Sequence, residues 1–376
     1  MWRSGHGQLE SRSAEPCYKY VSLASALGLA PSVVSLQLIG YMISMKFRLL
    51  ATILALLASS CGARAQTKYP PETTNAALRY WAAIAEMNKL PYDADAATQK
   101  VLFETLNGQT SWSEKALGSI LDANAEAIGT MQRATKLPEC DWGFEYDRLH
   151  RLPTPPVVLF MRARPLAELN ALYGMREMAK GESQEAVDAW LAGIRFAQDL
   201  ARGGTAIFVL VANRMMLPDL HALNEAIRKG QLSEAQKREV YATVSALPED
   251  GLDWVGAWAF EVSTGEDFLQ KLNASKNPGA VWEETGMPVP KGKLAAKFGF
   301  PPTAPDIQAY REYVLAAQAA LREPPEKAKT LLHDLEPKLL ALGAVEQGFI
   351  PGTQGLNSAR TEAWTARAEL MQALSK

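Results

Sequence analysis

Apolar residues recur every three to four positions through most of this 376-residue chain, and no other feature constrains the fold as strongly. Such spacing places the apolar side chains on one face of an α-helix. It is clear in residues 73–89, 183–201 and 307–321. After residue 65, no stretch alternates apolar and polar residues with the period of two that a half-buried strand requires. The sequence therefore predicts an all-α fold of about a dozen helices.

Local signals mark where some of these helices begin or bend. Residues 111–114 (SWSE) and 233–236 (SEAQ) have the serine-to-glutamate or serine-to-glutamine spacing of a capping box. Pro165 and Pro218 fall inside long periodic stretches. Since proline lacks an amide hydrogen and clashes with the preceding turn, each predicts a kink or a restart of its helix.

Residues 45–65 have the three-part order of a secretory signal peptide. A basic start (MKFR) is followed by ten uncharged, mostly aliphatic residues at 49–58, and then by small residues ending in Ala-Arg-Ala at 63–65. The apolar part spans about 15 Å as a helix, too short to cross a hydrocarbon layer of about 30 Å. The segment therefore predicts export, with the mature protein periplasmic or secreted.

Two features of this region leave alternatives open. Ser59 and Ser60 precede Cys61 as small residues precede the acylated cysteine of a bacterial lipoprotein, so Cys61 is an alternative lipid-attachment site. Signal peptides start at the N-terminus, and residues 1–44 are therefore predicted to be a non-native extension with Met45 as the true start. The rival interpretation takes residues 21–45, which carry no charge, as a membrane helix.

Composition limits the remaining body. The first 65 residues hold six of the 39 basic and two of the 41 acidic residues, so residues 66–376 carry a formal charge of −6. This balance disfavours a nucleic-acid partner.

We predict a helical domain at 66–272, a loop or linker at 273–305, and C-terminal helices at 306–376 packing on the same body. Only Cys140 lies after residue 65, which excludes an internal disulfide there.

Residues 170–198 combine small residues where two helices can cross closely with one aromatic residue between them: Gly174, Gly181, Ala186, Trp190 and Gly193. This pattern resembles a tetratricopeptide-type helical hairpin. The sequence departs from it where large apolar residues or proline are usual, at Asn170, Glu177 and Gln198. The resemblance implies irregular tetratricopeptide-like antiparallel hairpins, as an α-solenoid or helical array, with a concave surface for a protein or peptide partner.

Residues 137–156 lose the helical period and are rich in proline and aromatic residues. One interpretation is a substrate loop whose rings and acids bind a cationic or sugar-like ligand. Its candidate binding residues are Asp141, Trp142, Tyr146 and His150, with His150 a candidate general base. The other, favoured interpretation is a long connection held to the core by its own aromatic residues.

Motifs for other chemistry are absent from the sequence. His150, His221 and His333 lack a second histidine or a cysteine at ligand spacing, so no metal site is predicted. Residues 286–293 (GMPVPKGK) miss the spacing and the hydroxyl residue of a phosphate-binding loop, and no cofactor is predicted. Trp81, Trp190 and Trp364 lie on apolar stripes, where packing explains them.

Together these observations predict an exported helical scaffold or interaction protein of the cell envelope. Membrane association is expected only through the signal segment or a lipid at Cys61. The alternative is an exported hydrolase or lyase that uses the acids of residues 139–150, since paired carboxylates leave no regular sequence signature.

Overall fold

The fold is described from a computed structural model, in which residues 73–88, 91–144, 157–284 and 288–376 are described. The predicted signal peptide, Cys61, Tyr146 and His150 lie outside these residues. The described ranges contain sixteen α-helices and no strand, which confirms the all-α prediction. A single β-bridge joins Asn75 to Glu139.

The helices follow in this order: α1 Ala76–Glu86, α2 Ala96–Leu106, α3 Glu114–Ala123, α4 Ala125–Ala134, α5 Val157–Lys180, α6 Ser183–Ala201, α7 Ala206–Arg228, α8 Glu234–Ser245, α9 Trp254–Ala274, α10 Pro278–Glu283, α11 Lys293–Phe298, α12 Ala304–Leu321, α13 Pro325–Asp334, α14 Glu336–Ala341, α15 Ala344–Gln347 and α16 Thr353–Leu374. Residues Thr73–Lys376 form one compact unit.

Helix α1 packs on α4, and its buried face differs from the predicted stripe. The buried positions are Ala76, Ala77, Tyr80, Ala83 and Ile84. The apolar spacing of residues 73–89 also predicts Leu78 on the buried face, and this prediction is wrong because Leu78 is 59% exposed. The face rotates because the aromatic ring of Tyr80 is inserted into the core, and Leu78 then points to the opposite side of the helix.

Helices α5, α6 and α7 form the centre of the unit. Connections of two and four residues join them, and each packs on the next. Trp190 is buried between α5 and α6, where its indole Nε1 donates to the Ala171 carbonyl at 3.2 Å and its ring contacts Gly174. A β-carbon at Gly174 would overlap that ring, so the close helix crossing requires glycine there.

The two prolines do not end their helices. Pro165 lies inside α5 and Pro218 inside α7, so the predicted restart of the first helix at Pro165 is wrong. Each helix continues past its proline because buried residues before and after the proline pack in the core, which offsets the missing backbone hydrogen bond.

The two predicted capping boxes differ in outcome. Ser233 and Gln236 exchange both hydrogen bonds at the start of α8, as predicted. At residues 111–114 the prediction is wrong: α3 begins at Glu114 with Ser113 as its N-cap residue. The Glu114 carboxylate instead accepts a hydrogen bond from the Trp112 indole at 3.0 Å.

The C-terminal part packs back on the centre. Helix α16 packs on α7. Helix α13 packs on α16, and α12 packs on α13. Residues 273–305, predicted to be a loop or linker, contain the short helices α10 and α11, and Trp282 in α10 is buried. Within the described ranges, α7 alone is long and apolar enough to cross a membrane, and most of its apolar stretch is buried, as in the core helix of a soluble domain.

Candidate functional site

A groove of about 730 Å³ opens between α2, α5, α7, α13 and α16. Phe103, Leu106, Leu217, Pro218 and Ala366 form its apolar part, and the other lining residues are polar or charged. Because five helices far apart in sequence contribute to it, no contiguous motif marks this groove. None of its lining residues was a predicted site residue.

Helix α16 supplies one whole wall of the groove. Its uncharged polar lining residues recur at spacings of one, three and four, which keeps them on one face: Gln354, Asn357, Ser358, Thr361 and Thr365. Glu362 and Glu369 lie on the same wall. A core helix would place apolar residues on a face that meets other helices, so this polar row faces the open groove instead.

Two ion pairs lie on the groove walls, one within α5 and one between α7 and α16. Arg164 Nε donates to Glu168 at 2.8 Å, and the Tyr92 hydroxyl donates to the other Glu168 oxygen at 2.6 Å. Glu168 is only 3% exposed, and these two bonds satisfy both of its carboxyl oxygens in the interior. Burial, followed by the adjacent Glu168 carboxylate, raises the pKa of Tyr92.

The second pair joins α7 to α16. Arg214 Nη1 and Glu362 Oε2 lie 2.9 Å apart, and both side chains remain about half exposed. His221 lies about two turns further along α7, on the groove wall, and its side chain is exposed. Partial removal from water lowers the pKa of His221, and Glu369 and Glu362 oppose that shift. The imidazole is therefore neutral at pH 7 and can both donate and accept a hydrogen bond.

Asn357 is the most deeply buried polar group of the α16 wall. It is 2% exposed, and its Nδ2 donates to the Pro325 carbonyl at 3.1 Å. Its Oδ1 has no hydrogen-bond partner among the described residues. A buried acceptor left without a donor costs about 1–3 kcal/mol, so each such group needs a structural or functional explanation.

The residues predicted from the 139–150 segment lie elsewhere. Trp142 is buried, stacks on Tyr80 with centroids 5.7 Å apart, and donates its indole hydrogen to the Asp199 carbonyl at 2.7 Å. Asp141 is exposed, and its carboxylate accepts from the Gly143 amide at 2.8 Å. These contacts are those of a connection fastened to the core by its aromatic residues.

Beneath Trp142, the fully buried Asp199 organises a polar cluster. Its carboxylate accepts from the Tyr80 hydroxyl at 2.8 Å and pairs with Arg195 and Arg202 at 3.3 and 3.7 Å. Burial raises the pKa of Asp199, and the Tyr80 bond and the arginines oppose that shift. Burial and the Asp199 charge raise the pKa of the nearby Cys140 thiol to about 12, so this thiol is protonated and unreactive at pH 7.

Across the described ranges, no group of three or more histidine, cysteine, aspartate or glutamate side chains could hold a metal ion. His221 and His333 both lie in helices. His333 is exposed and pairs with Glu336 on the surface at 3.1 Å.

The geometry defines an all-α protein with a polar, mixed-charge groove. Comparison with protein-family models, with curated proteins and with solved structures finds no match to this chain. The function is therefore argued from the groove itself.

Proposed function

We propose that this protein is a helical interaction module that binds an extended polypeptide segment in the groove. One observation carries the proposal: a row of uncharged hydrogen-bonding side chains lines the groove along α16, with Gln354, Ser358 and Thr365 exposed to it. Amides and hydroxyls can satisfy the main-chain amides and carbonyls of a bound strand without requiring a particular charge.

The dimensions support a peptide of moderate length. Gln354 and Glu369 are fifteen residues apart on α16, which is about 22 Å at 1.5 Å per residue. An extended chain rises about 3.3 Å per residue, so the wall spans about seven residues.

The charges support a polypeptide over a polyanion. The groove contains the acids Glu168, Glu326, Glu362 and Glu369 and the bases Arg164, Arg214 and Lys329. A phosphate backbone requires a basic excess, which this groove lacks. A peptide of mixed charge meets both signs and loses little to repulsion.

Further features of the proposal come from the sequence. The Gly174–Trp190 crossing supports tetratricopeptide-like packing of the α5–α6 hairpin, with the other hairpins irregular.

Residues 45–65 support export to the periplasm or beyond, and Cys61 supports the lipoprotein alternative. Mass spectrometry of the intact native protein tests both: a start at residue 66 fits cleavage, an acylated Cys61 fits lipidation, and peptides from residues 1–44 would contradict the predicted start.

The alternative of a hydrolase or lyase at residues 139–150 stays a prediction. The contacts of Trp142 and Asp141 favour a structural connection there. Alanine substitution of Asp141 that abolished a hydrolytic activity without lowering stability would favour the enzyme.

A displayed library of random nonapeptides, selected on the full chain, tests the proposal. Ser358→Trp places a large ring in the groove from an exposed position, and Ser263→Trp is the matched control on the exposed face of α9. We expect selected synthetic peptides to lose at least tenfold in affinity with Ser358→Trp and to bind Ser263→Trp normally, measured by fluorescence anisotropy. A library that yields no binder, or binders indifferent to Ser358→Trp, would overturn the groove as a peptide site.

A further inference from the structure

The side chain of Asn357 is fixed in one orientation by its surroundings. The Pro325 carbonyl can only accept a hydrogen bond, so the nitrogen of the amide must face it and Oδ1 must face away. Asn357 is on the groove wall, and Oδ1 has no donor among the described residues. The fold therefore leaves a buried hydrogen-bond acceptor unused on a residue of the groove wall.

Of two other buried asparagines, one has both ends of its amide bonded and the other has the same arrangement outside the groove. Asn170 donates to the Ala189 carbonyl at 2.7 Å and accepts from Gln132 at 3.0 Å, so both ends of its amide are satisfied. Asn213 matches Asn357 in every respect but location. Its Nδ2 donates to the Ala359 carbonyl at 3.1 Å, its Oδ1 has no partner within the described part of the chain, and it is not among the groove residues.

We infer that Asn357 Oδ1 accepts a main-chain N–H of the bound peptide and thereby makes recognition depend on the peptide backbone. This inference rests on the proposed function. The acceptor needs a donor, and an extended chain presents one N–H to each edge at every second residue, about 6.7 Å apart. Gln354 and Ser358 flank Asn357 on the same wall, four residues and about 6 Å apart, close to that repeat.

The position of Oδ1 adds to its value as a recognition group. The oxygen is shielded from water, so a donor can reach it only when neighbouring side chains move. Water cannot then compete for the bond. A hydrogen bond formed there removes an unsatisfied buried acceptor, which makes it worth more than an average exposed one.

The test combines backbone N-methylation of a selected nonapeptide with two variants of the full chain. N-methylation removes one N–H at a time and leaves the side chains unchanged. For the wild-type protein, we expect one position at which methylation lowers affinity about tenfold, the loss of one buried hydrogen bond. Asn357→Leu should lower affinity for the unmodified peptide by a similar factor, and methylation at that position should then have no further effect.

Asn213→Leu is the matched control, since it removes an equivalent buried amide outside the groove. It should leave both the affinity and the methylation profile unchanged. If Asn357→Leu fails to fold, as judged by circular dichroism, Asn357→Ala makes the same comparison without adding bulk.

Failure of this inference is distinguishable from failure of the proposed function. If peptides bind and Ser358→Trp blocks them, but the methylation effect persists in Asn357→Leu, the groove binds peptide and Asn357 does not read its backbone. If no peptide binds the groove at all, the proposed function fails first.

Discussion

A β-carbon on Gly193 would overlap the carboxyl group of Asp219, so α6 and α7 meet where a glycine lies against a buried acid. Asp219 is fully buried, and neither of its carboxyl oxygens has a hydrogen-bond partner among the described residues. Burial raises the pKa of Asp219 well above its ordinary value. The side chain therefore keeps its proton to a higher pH than an exposed aspartate does.

Gly193→Ala should destabilise the protein, because the added methyl group must displace the Asp219 carboxyl in a closely packed interface. Overpacking of this kind costs about 1–3 kcal/mol. The measurement is the free energy of unfolding in urea. Gly355→Ala is the control, since a β-carbon there meets nothing within 4 Å, and it should be neutral or mildly stabilising. Equal effects of the two substitutions would contradict the close crossing.

Asp219→Asn should change how stability depends on pH. Below the unfolded pKa of about 4, aspartate is protonated in both states. Above it, the unfolded chain releases the proton while native Asp219 retains it, so the free energy of unfolding falls as pH rises towards the native pKa.

Above about pH 4, the free energy of unfolding of Asp219→Asn should therefore rise relative to that of the wild type, by up to about 1.4 kcal/mol per pH unit. Urea unfolding of both proteins between pH 4 and pH 8 measures it, and the other acids cancel in the difference. A difference that does not vary with pH would show that Asp219 ionises normally.

Tyr80→Phe should weaken the cluster beneath Trp142. The hydroxyl donates to the buried Asp199 carboxylate, and its loss removes a hydrogen bond to a charged group, worth about 1.5–3 kcal/mol. Tyr241→Phe is a matched control on a tyrosine that is 52% exposed, with an expected change within about 0.5 kcal/mol. Guanidinium unfolding followed by tryptophan fluorescence measures both. A loss no larger for Tyr80→Phe would mean that Arg195 and Arg202 satisfy Asp199 without it.

Arg360→Met should destabilise the C-terminal part. Arg360 is 5% exposed, pairs with Asp250 at 2.6 Å and donates to the Glu323 carbonyl at 2.8 Å. Its removal leaves Asp250 short of its counter-ion, at a cost of at least about 2 kcal/mol. Lys327→Met removes a lysine whose pair with Glu323 is exposed, with an expected cost below about 1 kcal/mol. Thermal unfolding distinguishes the two, and similar melting temperatures would contradict the buried pair.

Sequence periodicity predicted the long helices well because each of them buries one face, whatever covers it; the short helices α11 and α14 bury no residue. The capping box at Ser233 was also predictable, since both of its hydrogen bonds are local. The face that each helix buries was less predictable. Leu78 and Trp364 fit an apolar stripe, yet they are 59% and 38% exposed, because the neighbouring helices cover adjacent faces.

The groove could not be predicted from the sequence for a different reason. Asn357 reads as an ordinary polar position in a helix, and its importance depends on Pro325 and on residues more than a hundred positions earlier in the chain. The aromatic segment that was most unusual in composition, around Trp142, is explained by packing against Tyr80 and Asp199.

The contact between α7 and α16 affects how the chain can fold as it is made. Asn213 in α7 bonds to a carbonyl 146 residues further on, in the helix that covers its apolar flank. At about 5–20 residues per second, synthesis leaves that flank uncovered for about 7–30 s. The one described helix that is long and apolar enough to cross a membrane therefore stays partly uncovered until the C-terminal helix has been synthesised.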